Sequence, residues 1–132
     1  MIVGIGLDVA EIPRIAGLID RWGDRFVHKL FTPGERAYSD ARAHRASHYA
    51  ARFAAKEAAL KALGVPPGLR WHELEVVKEA GRPPRLVLAG AARAAADALG
   101  VVAVHLTLTH AAGVAAAVVV AEADERGRPC AT

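Results

Sequence analysis

The segment from Ala43 to Leu63 leaves the backbone little conformational choice. It is rich in alanine, the residue with the highest helix propensity. Tyr49, Phe53, Leu60 and Leu63 fall on one broad stripe of such a helix. Gly64 is placed to cap its C-terminus, and Val65-Pro66-Pro67-Gly68 follows as a stiff loop. A long helix is expected here, with the other elements packed around it.

Those other elements mix strands and helices irregularly. Ile2 to Val9 reads as a buried first strand with Asp8 at its end. Pro13 suits the first turn of a helix that carries Ile12, Ile15, Leu18 and Ile19 inward and Arg14 and Arg21 outward. A short helical stretch around Phe26, Val27 and Leu30 follows Gly23. Thr32-Pro33-Gly34-Glu35 has the form of a capping box and predicts a short helix through Tyr38. Leu74 to Val77 and Arg85 to Leu88 read as a hairpin about Gly81-Arg82-Pro83-Pro84. Gly90 to Leu99 is a short helix stopped by Gly100. Val101 to Thr109 and Val114 to Glu122 form a second hairpin, turned by His110-Ala111-Ala112-Gly113. The pattern predicts one compact α+β domain over 1–122, a mostly antiparallel sheet packed on the long helix and on shorter ones. A polar, loose tail is expected over 123–132.

Composition narrows the function. At 132 residues the chain is one domain's worth, and 53% hydrophobic residues exclude global disorder. Aromatics are only 5%, so the core has few large anchors and association between subunits is a natural way to bury more surface. The single cysteine, Cys130, excludes a disulfide framework or a cysteine zinc site within one chain. The N-terminus has no basic region before Asp8 and does not read as a signal peptide. The longest uncharged apolar run, Ala111 to Ala121, is too short to span a bilayer, so a cytoplasmic protein without a membrane partner is expected, and the mild basicity falls short of a histone-like or ribosomal composition, so no nucleic-acid partner is expected. A net charge of +3 suits an acidic or phosphorylated partner.

Three places carry possible chemistry. Asp8 is a carboxylate at the end of an apolar strand. It is either a helix cap, since Asp8 and Glu11 share capping-box spacing, or a group that meets a cation, a metal or N–H donors. Phe53, Glu57 and Lys61 stand four apart on one side of the long helix. Glu57 is the single acid among Arg42, Arg45, Arg52, Lys56 and Lys61. That is either a solvated face with an ordinary Glu57–Lys61 pair, or a polyphosphate site in which cations take the oxygens and the acid helps hold a divalent metal. Thr107-Leu108-Thr109-His110 ends in a histidine that can donate to phosphate or decorate a loop, whereas His105 reads as structural. His44 and His48 have metal spacing but no evident third ligand. Gly4-Ile5-Gly6-Leu7-Asp8 lacks the third glycine and the distant acid of a dinucleotide fingerprint, and there is no Walker sequence.

Taken together, Gly4-Ile5-Gly6-Leu7-Asp8-Val9 with Glu11-Ile12-Pro13-Arg14, and Arg52-Phe53-Ala54-Ala55-Lys56-Glu57-Ala58-Ala59-Leu60-Lys61-Ala62-Leu63-Gly64, resemble the two signatures of the holo-acyl-carrier-protein synthases. Phe31-Thr32-Pro33-Gly34-Glu35, Gly81-Arg82-Pro83 and Leu108-Thr109-His110 match lesser features in the same order. The resemblance implies a 4′-phosphopantetheinyl transferase fold. It implies transfer of the phosphopantetheine arm of coenzyme A to a serine of apo acyl carrier protein, releasing adenosine 3′,5′-bisphosphate, in support of fatty acid biosynthesis. It also implies a magnesium requirement and a homotrimer with active sites between subunits. Asp8 and Glu57 match the metal-binding acids, Lys61 the lysine that reaches the pyrophosphate, and Arg52 and His110 the residues that hold the phosphates of coenzyme A. His44 and Arg45 match further contacts to the 3′-phosphate. Arg14, Arg21 and Arg25 match the basic surface that docks the acidic helix of the carrier protein. The loop after Gly64 is shorter than in many relatives, and Thr107 and Thr109 stand where serines are common.

On that reading the serine attacks the β-phosphorus and the adenosine-side phosphate leaves. Glu57, or a magnesium-held water oriented by Asp8, takes the proton. A magnesium-dependent nucleotide phosphohydrolase and a non-catalytic sensor of phosphorylated ligands are the competing readings. The hydrolase would not need Arg14, and the sensor would bind coenzyme A without metal dependence and without turnover.

Overall fold

A computed structural model describes residues 1–124, to which every structural statement below refers. The expected tail lies outside the described residues from 125 onward. Its first residue, Ala123, still belongs to the last strand.

Three strands make the main sheet, in the order β1 (Ile2–Glu11), β5 (Val114–Ala123), β4 (Val101–Ala111), all antiparallel. A second antiparallel pair joins β2 (Leu74–Val77) to β3 (Arg85–Leu88) with Leu74 opposite Leu88. The helices are α1 (Ile12–Trp22), α2 (Asp24–Leu30), α3 (Pro33–Asp40), α4 (Arg45–Ala62) and α5 (Gly90–Ala98), with a single 3-10 turn at Trp71–Glu73. No described helix is long and apolar enough to cross a membrane.

The long helix α4 lies across β1 and β5. Its contact face is built from Ala54, Ala55, Ala58, Ala59 and Ala62, and it meets Ala115, Ala117 and Ala121 of β5. Short side chains on both surfaces let the backbones come close, which is why so much of the apolar fraction is alanine. The larger anchors Ile15, Ile19, Phe31, Tyr49 and Leu74 close the core around α4.

Local chemistry explains the shorter elements. Thr32 Oγ1 accepts from the Glu35 N–H while the Thr32 N–H donates to Glu35 Oε1, so the capping box at the start of α3 is present. Pro13 stands in the first turn of α1, where its missing N–H leaves no gap in the ladder. Ile15 and Ile19 turn inward and Arg14 and Arg21 outward, as their spacing predicts.

Four expectations change. The first strand is longer than its apolar run, continuing through Glu11, so Asp8 sits within it and not at its end. Glu11 occupies the position before α1 and neither it nor Asp8 caps that helix through its side chain. The strand is also not buried on both faces. Ile5, Leu7 and Val9 are 66%, 57% and 57% exposed. Similarly, β4 runs on through Ala111, so His110 is a strand residue opposite Ala115 and the turn is left to Ala112 and Gly113.

Candidate active site

The site begins with a contact that only glycine permits. A Cβ added at Gly6 would overlap the Ala58 carbonyl oxygen of α4, and one at Gly4 would overlap that of Ala62. Side chains alternate along a strand, so Asp8 points to the same face as Gly4 and Gly6, toward α4. Lys61 closes over that point. Its Nζ donates to the Leu7 carbonyl at 2.8 Å and reaches Asp8 Oδ1 at 3.4 Å. The pairing of this lysine is thus with Asp8 of the strand, in place of the intrahelical Glu57–Lys61 pair that spacing alone allowed.

Glu57 stands one helical turn before Lys61 and is half-buried. Burial raises its carboxyl above the usual carboxylate range, and the negative charge of Asp8 raises it further, against a smaller opposing effect of Lys61. Two carboxylates are therefore held close enough to repel one another. Such a pair suits a hard divalent cation, which commonly takes one or two carboxylates and completes its shell with phosphate oxygens and water. No larger cluster of His, Cys, Asp or Glu is gathered among the described residues.

A cationic cleft lies across the sheet from these acids. Asp8 and Leu108 oppose Ala117 from either side of β5, which puts their backbones two strand spacings, about 10 Å, apart. The cleft has a volume of about 180 Å³ and is walled by Tyr38, His48, Arg52, Lys78, Thr109 and His110. It unites Arg52 and His110, as their assignment to one phosphate-bearing ligand requires. Arg52 is 3% exposed, and its Nη1 donates to the His48 carbonyl at 3.3 Å. His48 and His110 approach edge to face with centres 6.4 Å apart. Burial, followed by the charges of Arg52 and Arg42, pushes His48 below its ordinary value.

The other proposed ligand contacts do not line this cleft within one chain. Arg45 Nη1 pairs with Asp40 Oδ1 at 3.1 Å on an exposed surface. His44 is exposed just before α4. Lys56 is a different correction. Sequence placed it among the surface cations, yet its Nζ is fully buried, 2.7 Å from Glu35 Oε1 and bonded to the carbonyls of Trp71 and Leu74. Its charge is consumed in the core. Sequence reasoning also passed over Tyr38 and Lys78 as cleft residues, and read His48 only for its metal spacing with His44. Only tertiary packing brings α3, α4 and the β2–β3 turn together at one cleft.

Arg14, Arg21 and Arg25 are all exposed. Arg21 and Arg25 stand over the Trp22 ring at 5.0 and 6.0 Å, beside a hollow of about 280 Å³ bordered by Leu18, Trp22, Arg25, Phe26 and Lys29. This surface combines positive charge with an apolar floor.

Comparison with known proteins agrees in sequence and in shape. The model of the 4′-phosphopantetheinyl transferase superfamily matches residues 4–119. A holo-[acyl-carrier-protein] synthase of Anaeromyxobacter dehalogenans is 56% identical over 125 residues, 92% of this chain and 97% of the relative. The crystal structure of Helicobacter pylori holo-[acyl-carrier-protein] synthase in complex with coenzyme A superposes with a TM-score of 0.78 at 29% identity, over 89% of this chain and 99% of that one. The Bacillus anthracis synthase in complex with coenzyme A gives 0.76 at 31% identity, over 94% and 99%.

Proposed function

The chain belongs to the 4′-phosphopantetheinyl transferase superfamily, and we propose that it moves the 4′-phosphopantetheine arm of coenzyme A onto a serine hydroxyl of apo acyl carrier protein. The observation that carries this reading is the convergence of Asp8, Glu57 and Lys61 at the β1–α4 contact, across the sheet from a cleft lined by Arg52 and His110.

In the reaction the serine oxygen bonds to the β-phosphorus of the coenzyme A diphosphate. The bond from that phosphorus to the bridging oxygen breaks, and adenosine 3′,5′-bisphosphate leaves with the electron pair. Both substrates resist this: the diphosphate is anionic and the hydroxyl is a weak nucleophile. Neutralising charge and aligning the partners are the main requirements. Lys61 supplies a cation whose ammonium group is held in place by the hydrogen bond it donates to the Leu7 carbonyl. Arg52 and His110 hold the nucleotide end in the cleft. Asp8 and Glu57 would hold magnesium, which supplies Lewis-acid neutralisation of the diphosphate. Glu57, with its raised carboxyl, is one acceptor for the serine proton and a water oriented by Asp8 is the other.

Arg14, Arg21 and Arg25 dock the acidic helix of the carrier protein, with Trp22 and Phe26 beneath it. The exposed row Ile5, Leu7 and Val9 is an apolar surface on a regular strand, and it supports assembly into a homotrimer. The work would be done in the cytoplasm. The deciding experiment is mass spectrometry of apo carrier protein incubated with this protein, coenzyme A and magnesium. A gain of one phosphopantetheine arm is expected. No gain, or consumption of coenzyme A without carrier protein, rejects the transferase.

A further inference from the structure

Tyr38 sits near the end of α3 with two arginines against its ring. The guanidinium carbon of Arg42 lies 3.3 Å from the ring centre and that of Arg52 lies 4.0 Å from it. Two planar cations so near one centre have no room on a single face, so the ring lies between them. Arg42 is tied further by its Nη1, which donates to the Tyr38 carbonyl at 2.6 Å. His48 closes a third side with its ring centre 5.6 Å away, edge to face.

Arg52 is the residue this arrangement serves. It is almost wholly buried, and its Nε is without a hydrogen-bond partner among the described residues. The carboxylate whose field reaches it, Glu35, is already paired with Lys56. Its steadying neighbour is therefore an aromatic face in place of an acid. An acid there would compete with an anionic ligand for the guanidinium, whereas a ring face attracts the cation and leaves its planar N–H edge for phosphate.

We propose that Tyr38 is a positioning residue for coenzyme A: its ring, clamped between Arg42 and Arg52, holds the Arg52 guanidinium in the cleft wall in the orientation that takes a phosphate of the ligand. The proposal rests on the transferase reading for the identity of the ligand. The Tyr38 hydroxyl also steadies the guanidinium of Arg52, and the phenylalanine variant separates its share from that of the ring. A role confined to fastening α3 to α4 would lower stability and affect both substrates alike.

The test measures steady-state constants for Tyr38→Leu and Tyr38→Phe, with coenzyme A and apo carrier protein varied in turn, and calorimetric Kd for coenzyme A in each protein. In Tyr38→Leu, KM and Kd for coenzyme A are expected to rise on the order of tenfold, the scale of one desolvated cation–π contact. Its kcat and its KM for carrier protein stay close to those of the parent, and Tyr38→Phe, which keeps the ring and loses only the hydroxyl's share, weakens coenzyme A binding clearly less than Tyr38→Leu. Unchanged coenzyme A affinity in Tyr38→Leu overturns the proposal, as does equal weakening in Tyr38→Phe or a parallel loss for both substrates. Should the leucine variant fail to fold by circular dichroism, Tyr38→Met answers the same question. If the parent binds coenzyme A but transfers nothing, the functional reading falls while the Kd series still decides the role of Tyr38.

Discussion

Lys56 Nζ lies 2.7 Å from Glu35 Oε1, and neither side chain reaches water. Glu35 also accepts from the N–H groups of Thr32 and Val76, and Lys56 donates to two carbonyls, so the pair ties α3, α4 and β2 at one point. Breaking one side of it leaves a buried charge uncompensated. Lys56→Ala is expected to cost about 3–5 kcal/mol in chemical denaturation, and the paired apolar replacement Lys56→Met with Glu35→Leu less. A single variant within about 1 kcal/mol of the parent would show that the pair is not needed.

Gly6 and Gly17 make a contrasting pair. Gly17 has open space around its missing Cβ on α1, so Gly17→Ala should raise stability by about 0.4–1 kcal/mol. Gly6→Ala must push β1 away from the Ala58 carbonyl, separating Asp8 from Glu57 and Lys61. A lowered Tm is expected and, on the proposed magnesium site, a rise in the magnesium concentration needed for half-maximal turnover. A Gly6→Ala protein with the parent's Tm and metal requirement would contradict the close approach.

The acids themselves give a third outcome. Glu57→Gln keeps the side chain's volume and removes a charge from a repelling pair, so thermal stability should hold or rise, whereas Asp8→Asn also gives up the ion pair with Lys61 and should leave stability close to the parent's. Turnover should fall on the order of a hundredfold or more if each acid belongs to the metal site. Near-parental turnover in either variant removes that residue from the site.

Docking and chemistry should separate at Arg14. Arg14→Glu is expected to raise KM for carrier protein and leave that for coenzyme A alone. The parent's KM for carrier protein should also climb with salt, since exposed charges are screened over about 10 Å at roughly 0.1 M. An unmoved KM for carrier protein would assign the arginines elsewhere.

His48 predicts an acid-side loss of stability. Its surroundings, Arg52, Arg42, His110 and His44 together with burial, favour the neutral ring. The folded state therefore binds the proton less well than the unfolded chain. The stability this contributes is complete above the ordinary histidine value near 6.5 and is lost as pH falls through the lower folded value. Denaturation midpoints of the parent should decline more steeply below pH 6.5 than those of His48→Asn. Parallel curves would place His48 in ordinary solvent.

Local signals carried most of the architecture. The alanine-rich helix, the capping box at Thr32 and the hairpin at Arg82 and Pro83 are written in neighbouring residues, and each formed where its chemistry pointed. Asp8, Glu57 and Lys61 were legible as types and through resemblance, but not as a cluster, because 48 residues lie between Asp8 and Glu57. Depth was the harder quantity. Lys56 has the same local surroundings as a surface lysine, and its buried partner Glu35 lies in a different helix. Tyr38 read as unremarkable, and His48 only as half of a metal spacing with His44, until α3 packed on α4 and α4 on β4. The apolar run of β1 suggested burial on both faces, but its inward positions near α4 are glycines and the branched residues face out.

That inversion makes the strand a gauge for its own alignment. A slip of one residue would turn Ile5 and Leu7 toward backbone carbonyls that refuse even a methyl group, and would swing Asp8 to the far surface. Only one setting of the strand lets the helix seat. Every molecule that finishes folding therefore has Asp8 on the helix side of the strand, within reach of Lys61, and a misaligned chain is rejected by shape before its chemistry is ever tried.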